Sequence, residues 1–178
     1  MLLQKGCIQV YTGNGKGKTT AAVGQGVRAV GRGLKVYMVQ FLKGNDTGEL
    51  HSLKRLEPDF KVFRFERPRG FFWTLSEDEK IELKKDIDKG FEFCREVLKN
   101  RECDVLIIDE MMGVLSNKLL DVQEVVEFLK SKPENIEIIL TGRNVPKEIA
   151  DVADLITEMK DIKHYFNEGV PARKGIEF

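Results

Sequence analysis

The sequence of 178 residues is long enough for one domain with a substantial hydrophobic core, and its composition is that of an ordinary globular protein. The 29 lysines and arginines balance the 29 acidic residues, which argues against a broad surface for polyanions such as nucleic acids. The scattered cysteines and histidines have no metal-ligand spacing, and no apolar run reaches transmembrane length. We therefore expect a cytoplasmic protein with no signal peptide and with neither a membrane nor a nucleic-acid partner.

The first predicted strand, at residues 7–11, leads into a glycine-rich segment and then into a helix predicted over 18–31. Strand, glycine-rich turn and helix are the context of a phosphate-binding P-loop. Glycines let successive backbone N–H groups turn toward an anion, and the helix adds the positive end of its dipole. The candidate nucleotide-binding residues are Thr12, Gly13, Asn14, Gly15, Lys16, Gly17, Lys18, Thr19 and Thr20.

Two residues of this segment carry the chemistry of a P-loop. Lys18 supplies a mobile charge for phosphate oxygens, and the Thr19 hydroxyl is suited to ligate the Mg²⁺ that accompanies a nucleotide. The usual motif begins with glycine, whereas Thr12 stands at that position here. The alternative is a chance turn rich in glycine and lysine, but such a turn has no need of Lys-Thr at the start of a helix.

The pattern between residues 32 and 100 continues to alternate. It predicts a strand at 35–41, a short helix at 49–57 and a strand at 60–66, followed by the irregular residues 67–75. Ser76 and Glu79 form a predicted capping box, in which each side chain satisfies the other residue's backbone N–H. A long amphipathic helix is expected from there to Asn100.

The segment 104–110 is a largely hydrophobic run that ends in two acids, Asp109 and Glu110. Such a run predicts a strand at 105–109, buried on both faces at the centre of a parallel sheet. Its carboxyl end is where α/β proteins bind ligands, so these acids are candidates for a metal site. The two side chains would point to opposite sides if the strand continued through both. The alternative is a strand that simply ends in solvated acids.

The remaining elements complete the alternation. Residues 111–120 have no clear pattern. Asp121 and Glu124 repeat the capping arrangement before a helix that ends near Ser131. Strands are predicted at 136–140 and 155–159, and a short helix that starts at Pro146 lies between them. The tail from 161 has no clear periodicity. We predict one α/β domain over 1–178, with a mostly parallel sheet and helices on both faces; the strand order stays open.

Six separated segments, in order, resemble the ATP:corrinoid adenosyltransferases, and together they span nearly the whole chain. They are residues 11–22, 39–44, 70–73, 108–110, 140–143 and 164–175, the last including Gly169, Val170 and Ala172 before Gly175 and Ile176. The Thr12 that departs from the generic motif matches this family's form of the P-loop. The resemblance implies a recombinase-like P-loop NTPase fold and transfer of the 5′-deoxyadenosyl group of ATP to the Co(I) of a corrinoid, with release of triphosphate.

The resemblance also implies partners and residue roles. The expected partners are ATP, Mg²⁺ or Mn²⁺, a corrinoid such as cobalamin or cobinamide, an electron-donor protein such as a flavodoxin, and a second copy of the chain in a homodimer. Thr19 and Glu110 would hold the metal, and Lys16 and Lys18 would stabilise the departing triphosphate. Further nucleotide contacts are expected from Asn14, Arg28 and Arg143, although Arg28 also suits a solvated helix face.

The aromatic residues at 71–73 have a second implied role. In the family, matching aromatics displace the lower ligand of cob(II)alamin and so make its reduction to Co(I) accessible. Phe71 and Trp73 match the family's positions and are catalytic candidates together with Lys18 and Glu110, whereas Phe72 falls between them. The alternative is a loop whose aromatics pack onto the core.

Two other functions use the same nucleotide motifs. A P-loop kinase would need an arginine-bearing lid and an acceptor-binding acid, neither of which the sequence identifies. A nucleotide-driven module acting on nucleic acid would be expected to carry a basic stripe, which the balanced charge disfavours.

Overall fold

The protein is described by a computed structural model that covers residues 3–70 and 72–178. Its centre is a sheet of six parallel strands in the order β3-β2-β4-β5-β1-β6. In chain order the strands are β1 (Ile8–Thr12), β2 (Val36–Gln40), β3 (Phe60–Phe63), β4 (Val105–Asp109), β5 (Glu137–Thr141) and β6 (Leu155–Glu158). Strand β5 lies between β1, which leads into the P-loop, and β4, which ends in Asp109.

Helices cover both faces of this sheet, which confirms the predicted α/β architecture. They are α1 (Lys18–Val30), α2 (Gly48–Leu53), α3 (Glu77–Asn100), α4 (Met111–Ser116), α5 (Val122–Lys130) and α6 (Lys147–Val152), with 3₁₀ turns at Lys54–Leu56, Phe72–Thr74 and Tyr165–Glu168. Helix α1 packs on one face in a smaller apolar layer. Helices α3 to α6 pack on the other face in the larger layer.

Several boundaries differ from the sequence prediction for identifiable reasons. Strand β3 ends at Phe63 rather than 66, because its neighbour β2 pairs Val39 with Phe63 and itself ends at Gln40. The predicted helix at 49–57 is α-helical only to Leu53 and then tightens into a 3₁₀ turn. Pro146 is the residue that caps α6, not its first helical residue.

Helix α4 lies in the segment that no periodicity resolved. Its apolar residues Met111, Met112, Val114 and Leu115 are all buried. A helix that is covered on most sides has no polar face, so its sequence lacks the amphipathic pattern by which a surface helix is recognised.

The two predicted capping boxes have different outcomes. Ser76 and Glu79 form the full reciprocal pair at the start of α3. At α5, Asp121 accepts hydrogen bonds from the first backbone N–H groups, but the Glu124 carboxylate pairs with Arg95 at 2.9 Å. Among the described residues no helix could span a membrane; the longest, α3, is heavily charged.

Candidate active site

The P-loop turns at glycines whose backbone geometry other residues rarely adopt. Gly13 has a φ of 100° and Gly17 a φ of 120°. A Cβ at Gly13 would lie 2.3 Å from the carbonyl oxygen of Met159, just beyond β6, and Gly15 N donates to that same oxygen at 2.8 Å. The loop is therefore pressed against the end of β6, and only glycine fits at its first turn.

Lys18 begins α1 and curls back over the loop. Its ammonium donates to the carbonyl oxygens of Gly13 (2.7 Å) and Gly15 (2.9 Å). Burial is the main cause that lowers the pKa of Lys18; Arg143 lowers it further, and nearby carboxylates oppose the shift. Gly17, at the cap of α1, has no side chain with which to satisfy the first N–H groups of the helix. These features favour an anion at the loop.

Asp109, the last residue of β4, is a fully buried carboxylate at the centre of the site. Its Oδ1 accepts hydrogen bonds from the hydroxyls of Thr19 (2.9 Å) and Thr141 (2.6 Å). Its Oδ2 accepts from Gln40 Nε2 at 3.1 Å and lies 2.6 Å from the Lys43 ammonium. Four donors, from α1, β2, β5 and the segment after β2, thus converge on one acid, as a buried charge requires.

Glu110 diverges from Asp109 because β4 ends between them. Its φ of 62° is left-handed, and its backbone N–H donates to Thr141 Oγ1 at 2.9 Å. Its carboxylate lines the cleft beside the P-loop. Burial, followed by the charge of Asp109, raises the pKa of Glu110, whereas the cations Lys43, Lys18 and Arg143 act to lower it.

One cleft with a volume of about 1180 Å³ joins these groups to the aromatic loop. Its nucleotide side includes the first turn of α1, Glu110 and Arg143, which follows β5. Its aromatic side includes Phe72 and Trp73. The sequence-predicted residues that line it are Lys16, Gly17, Lys18, Thr19, Thr20, Trp73, Glu110 and Arg143.

The aromatic residues divide into two environments. Trp73 is 77% exposed at the cleft. Phe72 is half-buried against the larger core layer, with the Lys80 ammonium 5.6 Å from its ring centroid. Phe71 lies outside the described residues. The loop is anchored just before these aromatics by Arg69, which lies 3.0 Å from Asp86 of α3. Packing onto the core therefore accounts for Phe72 but not for Trp73.

Some predicted nucleotide contacts lie outside the cleft. Arg28 is exposed on α1, where its guanidinium donates to Gln25 at 3.4 Å, and it does not line the cleft. Asn14 is exposed in the P-loop. Thr12 ends β1, and its carbonyl accepts from Met159 N at 2.8 Å. Their roles as contacts stay predictions.

Other residues join the site without a role foreseen from the sequence. Lys43 and Thr141 reach Asp109, as described above. Lys16 donates to the carbonyl of Ile176 at 2.9 Å and lies 3.3 Å from the Glu177 carboxylate, so the C-terminal segment closes one wall of the cleft. The available signal was position: Lys43 and Thr141 lie at carboxyl ends of parallel strands, where ligand sites gather.

The oxygen donors near the P-loop suit a metal that arrives with a nucleotide. The Thr19 hydroxyl and the Glu110 carboxylate are hard ligands of the kind that Mg²⁺ and Mn²⁺ prefer. The described part of the chain contains no cluster of three or more acidic, cysteine or histidine residues arranged for a metal. An Mg²⁺ ion that accompanies a nucleotide commonly keeps several waters and is ligated by phosphate oxygens.

A parallel sheet, a glycine-rich loop at a helix start and a strand-end acid facing its threonine define a P-loop nucleotide-binding domain. The family of ATP:corrinoid adenosyltransferases BtuR/CobO/CobP matches residues 4–178, and the chain belongs to this family.

Individual relatives agree with the family match. The corrinoid adenosyltransferase of Escherichia coli K12 is 35% identical over 98% of this chain and 87% of its own length. That of a Sinorhizobium species is 37% identical over 98% and 81%, and CobA of Salmonella typhimurium is 35% identical over 98% and 87%. The crystal structure of the flagellar accessory protein FlaH from Methanocaldococcus jannaschii shares the fold, with a TM-score of 0.57, 18% identity and coverage of 88% and 72%.

Proposed function

We propose that this chain transfers the 5′-deoxyadenosyl group of ATP to the Co(I) of a corrinoid, cobalamin or cobinamide, in the biosynthesis or salvage of adenosylcobalamin. The observation that carries this proposal is the single cleft that runs from the P-loop to Trp73. A nucleotide site that opens directly onto an exposed aromatic surface suits a second, large and flat substrate. Membership of the adenosyltransferase family supports the same reaction.

The reaction needs no nucleophile from the protein. Co(I) attacks C5′ of ATP with its own electron pair, the C5′–O bond breaks, and triphosphate leaves with that bonding pair. Cobalt is formally oxidised to Co(III) as the Co–C bond forms. The protein's tasks are then to align C5′ with cobalt and to stabilise the charge that develops on triphosphate.

The nucleotide side of the cleft supplies that stabilisation. Lys18, Lys16 and Arg143 place positive charge where triphosphate would lie, next to the backbone N–H groups at the start of α1. Thr19 and Glu110 would hold Mg²⁺ or Mn²⁺, which supplies further charge neutralisation on the phosphates. Asp109 would act through Thr19, by fixing the orientation of its hydroxyl.

The aromatic side of the cleft would receive the corrinoid. Trp73, with Phe71, would lie against its lower face and displace the lower ligand of cob(II)alamin before one electron arrives from a flavodoxin-like donor. The high exposure of Trp73 at the cleft supports this role, because most of its side chain faces solvent, where a substrate can reach it. We further propose that the enzyme acts in the cytoplasm and that it is a homodimer. Sedimentation analysis would test the homodimer.

The test is direct conversion. Under anaerobic conditions the protein is mixed with ATP, MgCl₂ and cobalamin that has been chemically reduced to Co(I). We expect the light-sensitive spectrum of adenosylcobalamin to appear at a rate proportional to the enzyme. A folded, ATP-binding protein that forms none with either cobalamin or cobinamide would overturn the proposal. Lys163→Ala, an exposed lysine outside the cleft, is the matched control for the active-site variants.

A further inference from the structure

Lys43, in the segment after β2, contacts both Thr19 at the end of the P-loop and Asp109 at the end of β4. Its ammonium lies 2.6 Å from Asp109 Oδ2 and 3.2 Å from Thr19 Oγ1. Asp109 is fully buried, whereas the Lys43 side chain is 22% exposed and lines the cleft. A single cation therefore bridges the P-loop hydroxyl and the acid at the end of β4.

The Thr19 hydroxyl is the oxygen for which two cations would compete. It donates its proton to Asp109 Oδ1 and accepts a hydrogen bond from Lys43 through a lone pair. A divalent ion ligated by Thr19 binds through lone pairs of the same oxygen. The ion and the ammonium would then be only a few ångströms apart, and like charges at such a separation repel strongly in a partly buried site.

We propose that Lys43 is a displaceable counter-ion. Its ammonium holds the Thr19–Asp109 pair until a divalent cation takes over the Thr19 oxygen, and it then swings into the cleft toward the triphosphate. Lys43 thereby sets the affinity for the metal and delivers a positive charge to the nucleotide as the metal arrives. This inference rests on the metal-binding part of the proposed function.

The backbone around Lys43 is held in place, so the movement falls to the side chain. Leu42 N donates to the Glu66 carboxylate at 2.7 Å. A Cβ on Gly44 would lie 2.6 Å from Pro68 Cα, which shows how closely the two segments pack. The long, flexible stem of a lysine allows its ammonium to move several ångströms without any change in this backbone.

The alternative is a fixed counter-ion that stays on Asp109 whatever binds. A fixed Lys43 would keep the metal site in shape, so its removal would leave metal affinity unchanged or lower it. A displaceable Lys43 opposes the metal, so its removal would raise the affinity. The two possibilities thus predict changes of opposite sign.

The experiment measures Mn²⁺ binding to the full chain by electron paramagnetic resonance, without nucleotide. Lys43→Met removes the charge and keeps the length of the side chain, and Lys43→Arg keeps the charge. Lys16→Met is the control, because it removes one charge from the cleft wall at a residue that contacts the C-terminal segment rather than Thr19. We expect Lys43→Met to bind Mn²⁺ about tenfold more tightly than the native protein, and the other two to stay within about twofold of it. Unchanged or weaker binding by Lys43→Met, or an equal gain in Lys16→Met, would overturn the proposal.

A second measurement uses the native protein, so it does not depend on whether Lys43→Met folds. Proton–nitrogen NMR of the lysine ammonium groups reports the Lys43 signal, assigned by its loss in Lys43→Arg. We expect saturating Mg²⁺ with ATP to shift this signal and to speed its proton exchange with water. A signal that keeps its position and exchange rate while the metal is bound would contradict displacement.

Neither measurement includes a corrinoid. If Lys43 moves as predicted but no adenosylated corrinoid forms, the proposed function fails and the displaceable counter-ion stands. If adenosylation proceeds while Lys43 stays fixed on Asp109, only the further inference fails.

Discussion

Thr19 Oγ1 lies 2.9 Å from Asp109 Oδ1, and this hydrogen bond joins the first turn of α1 to the end of β4. Strand β1, which leads into the P-loop, does not pair with β4, because β5 lies between them in the sheet. Thr141, at the end of β5, donates to the same carboxylate oxygen. One buried acid therefore ties the first turn of α1 to the ends of β4 and β5, next to Glu110.

The two neighbouring acids should respond differently to substitution by alanine. Asp109→Ala is expected to lower the free energy of unfolding by ~3–5 kcal/mol, because it leaves Lys43 and two hydroxyls without their buried acceptor. Glu110→Ala is expected to keep its stability and to lose metal-dependent turnover. Urea denaturation and Mg²⁺ titration of activity measure the two effects. An unchanged Mg²⁺ dependence in Glu110→Ala would show that this acid is only the end of a strand.

Lys18→Ala is expected to remove nearly all activity from a folded protein. Its charge would stabilise the leaving triphosphate, and the loss of one such group reduces kcat by roughly 10²–10³-fold. The assay is turnover at saturating ATP, with circular dichroism to confirm folding and Lys163→Ala as the control. Near-native turnover in folded Lys18→Ala would contradict a role of this lysine in stabilising the triphosphate.

Trp73 and Phe72 offer a matched pair within one loop. Trp73→Ala should damage adenosylation that starts from cob(II)alamin and a protein reductant, but should spare the reaction of chemically prepared Co(I). Its melting temperature should hardly change, because the side chain is mostly exposed. Phe72→Ala should instead destabilise the fold and depress both assays together, because Phe72 packs against the core. Phe71→Ala is predicted to behave like Trp73→Ala.

Equal losses in both assays for Trp73→Ala, with a lower melting temperature, would assign its indole a structural role. The nucleotide half of the account would survive that result. The affinity for ATP should stay near the native value in both variants, because neither substitution changes the P-loop.

Glu66 and Glu79 should give stability profiles of opposite sign against pH. Burial is the largest influence on Glu66 and raises its pKa above the ordinary 4.5, so the folded state binds a proton more tightly than the unfolded state. Native stability is therefore lost as pH rises from 4.5 through the raised value. Glu66→Gln keeps an acceptor for Leu42 N, and its stability relative to native should rise over that window.

Hydrogen bonds from Ser76 lower the pKa of Glu79, so its contribution is present above pH 4.5 and is lost as pH falls through the lowered value. Glu79→Gln should therefore lose stability relative to native as pH rises toward 4.5. Urea denaturation at a series of pH values measures both variants. Parallel profiles for the two would contradict the assigned causes.

The elements that bear the site were predictable because their signals are local. The glycine spacing of residues 12–20 predicts a phosphate-binding loop, and the apolar run that ends at Asp109 predicts a central strand. The contacts of Asp109 were not predictable in the same way. Gln40 ends β2, Lys43 follows it closely and Thr141 ends β5. All three lie far from Asp109 along the chain, and only the strand order brings them to its carboxylate.

Strand order itself depends on how helices cover both faces, which no short pattern encodes. The wall of the cleft that the C-terminal segment forms was not predictable for a similar reason. Lys16 and Glu177 meet across almost the whole length of the chain. Arg28, whose position after the P-loop suggests a nucleotide contact, lies on α1 outside the lining of the cleft, and its role stays a prediction.

The fate of the three phosphates of ATP tests the central claim most directly. Phosphorus NMR of a complete reaction with ATP, Mg²⁺ and Co(I) cobalamin identifies which phosphate compound is released. Our account predicts one intact inorganic triphosphate for each adenosylcobalamin formed, with no ADP. Release of ADP in proportion to enzyme turnover, without adenosylcobalamin, would contradict it and identify a phosphoryl transferase or ATPase instead.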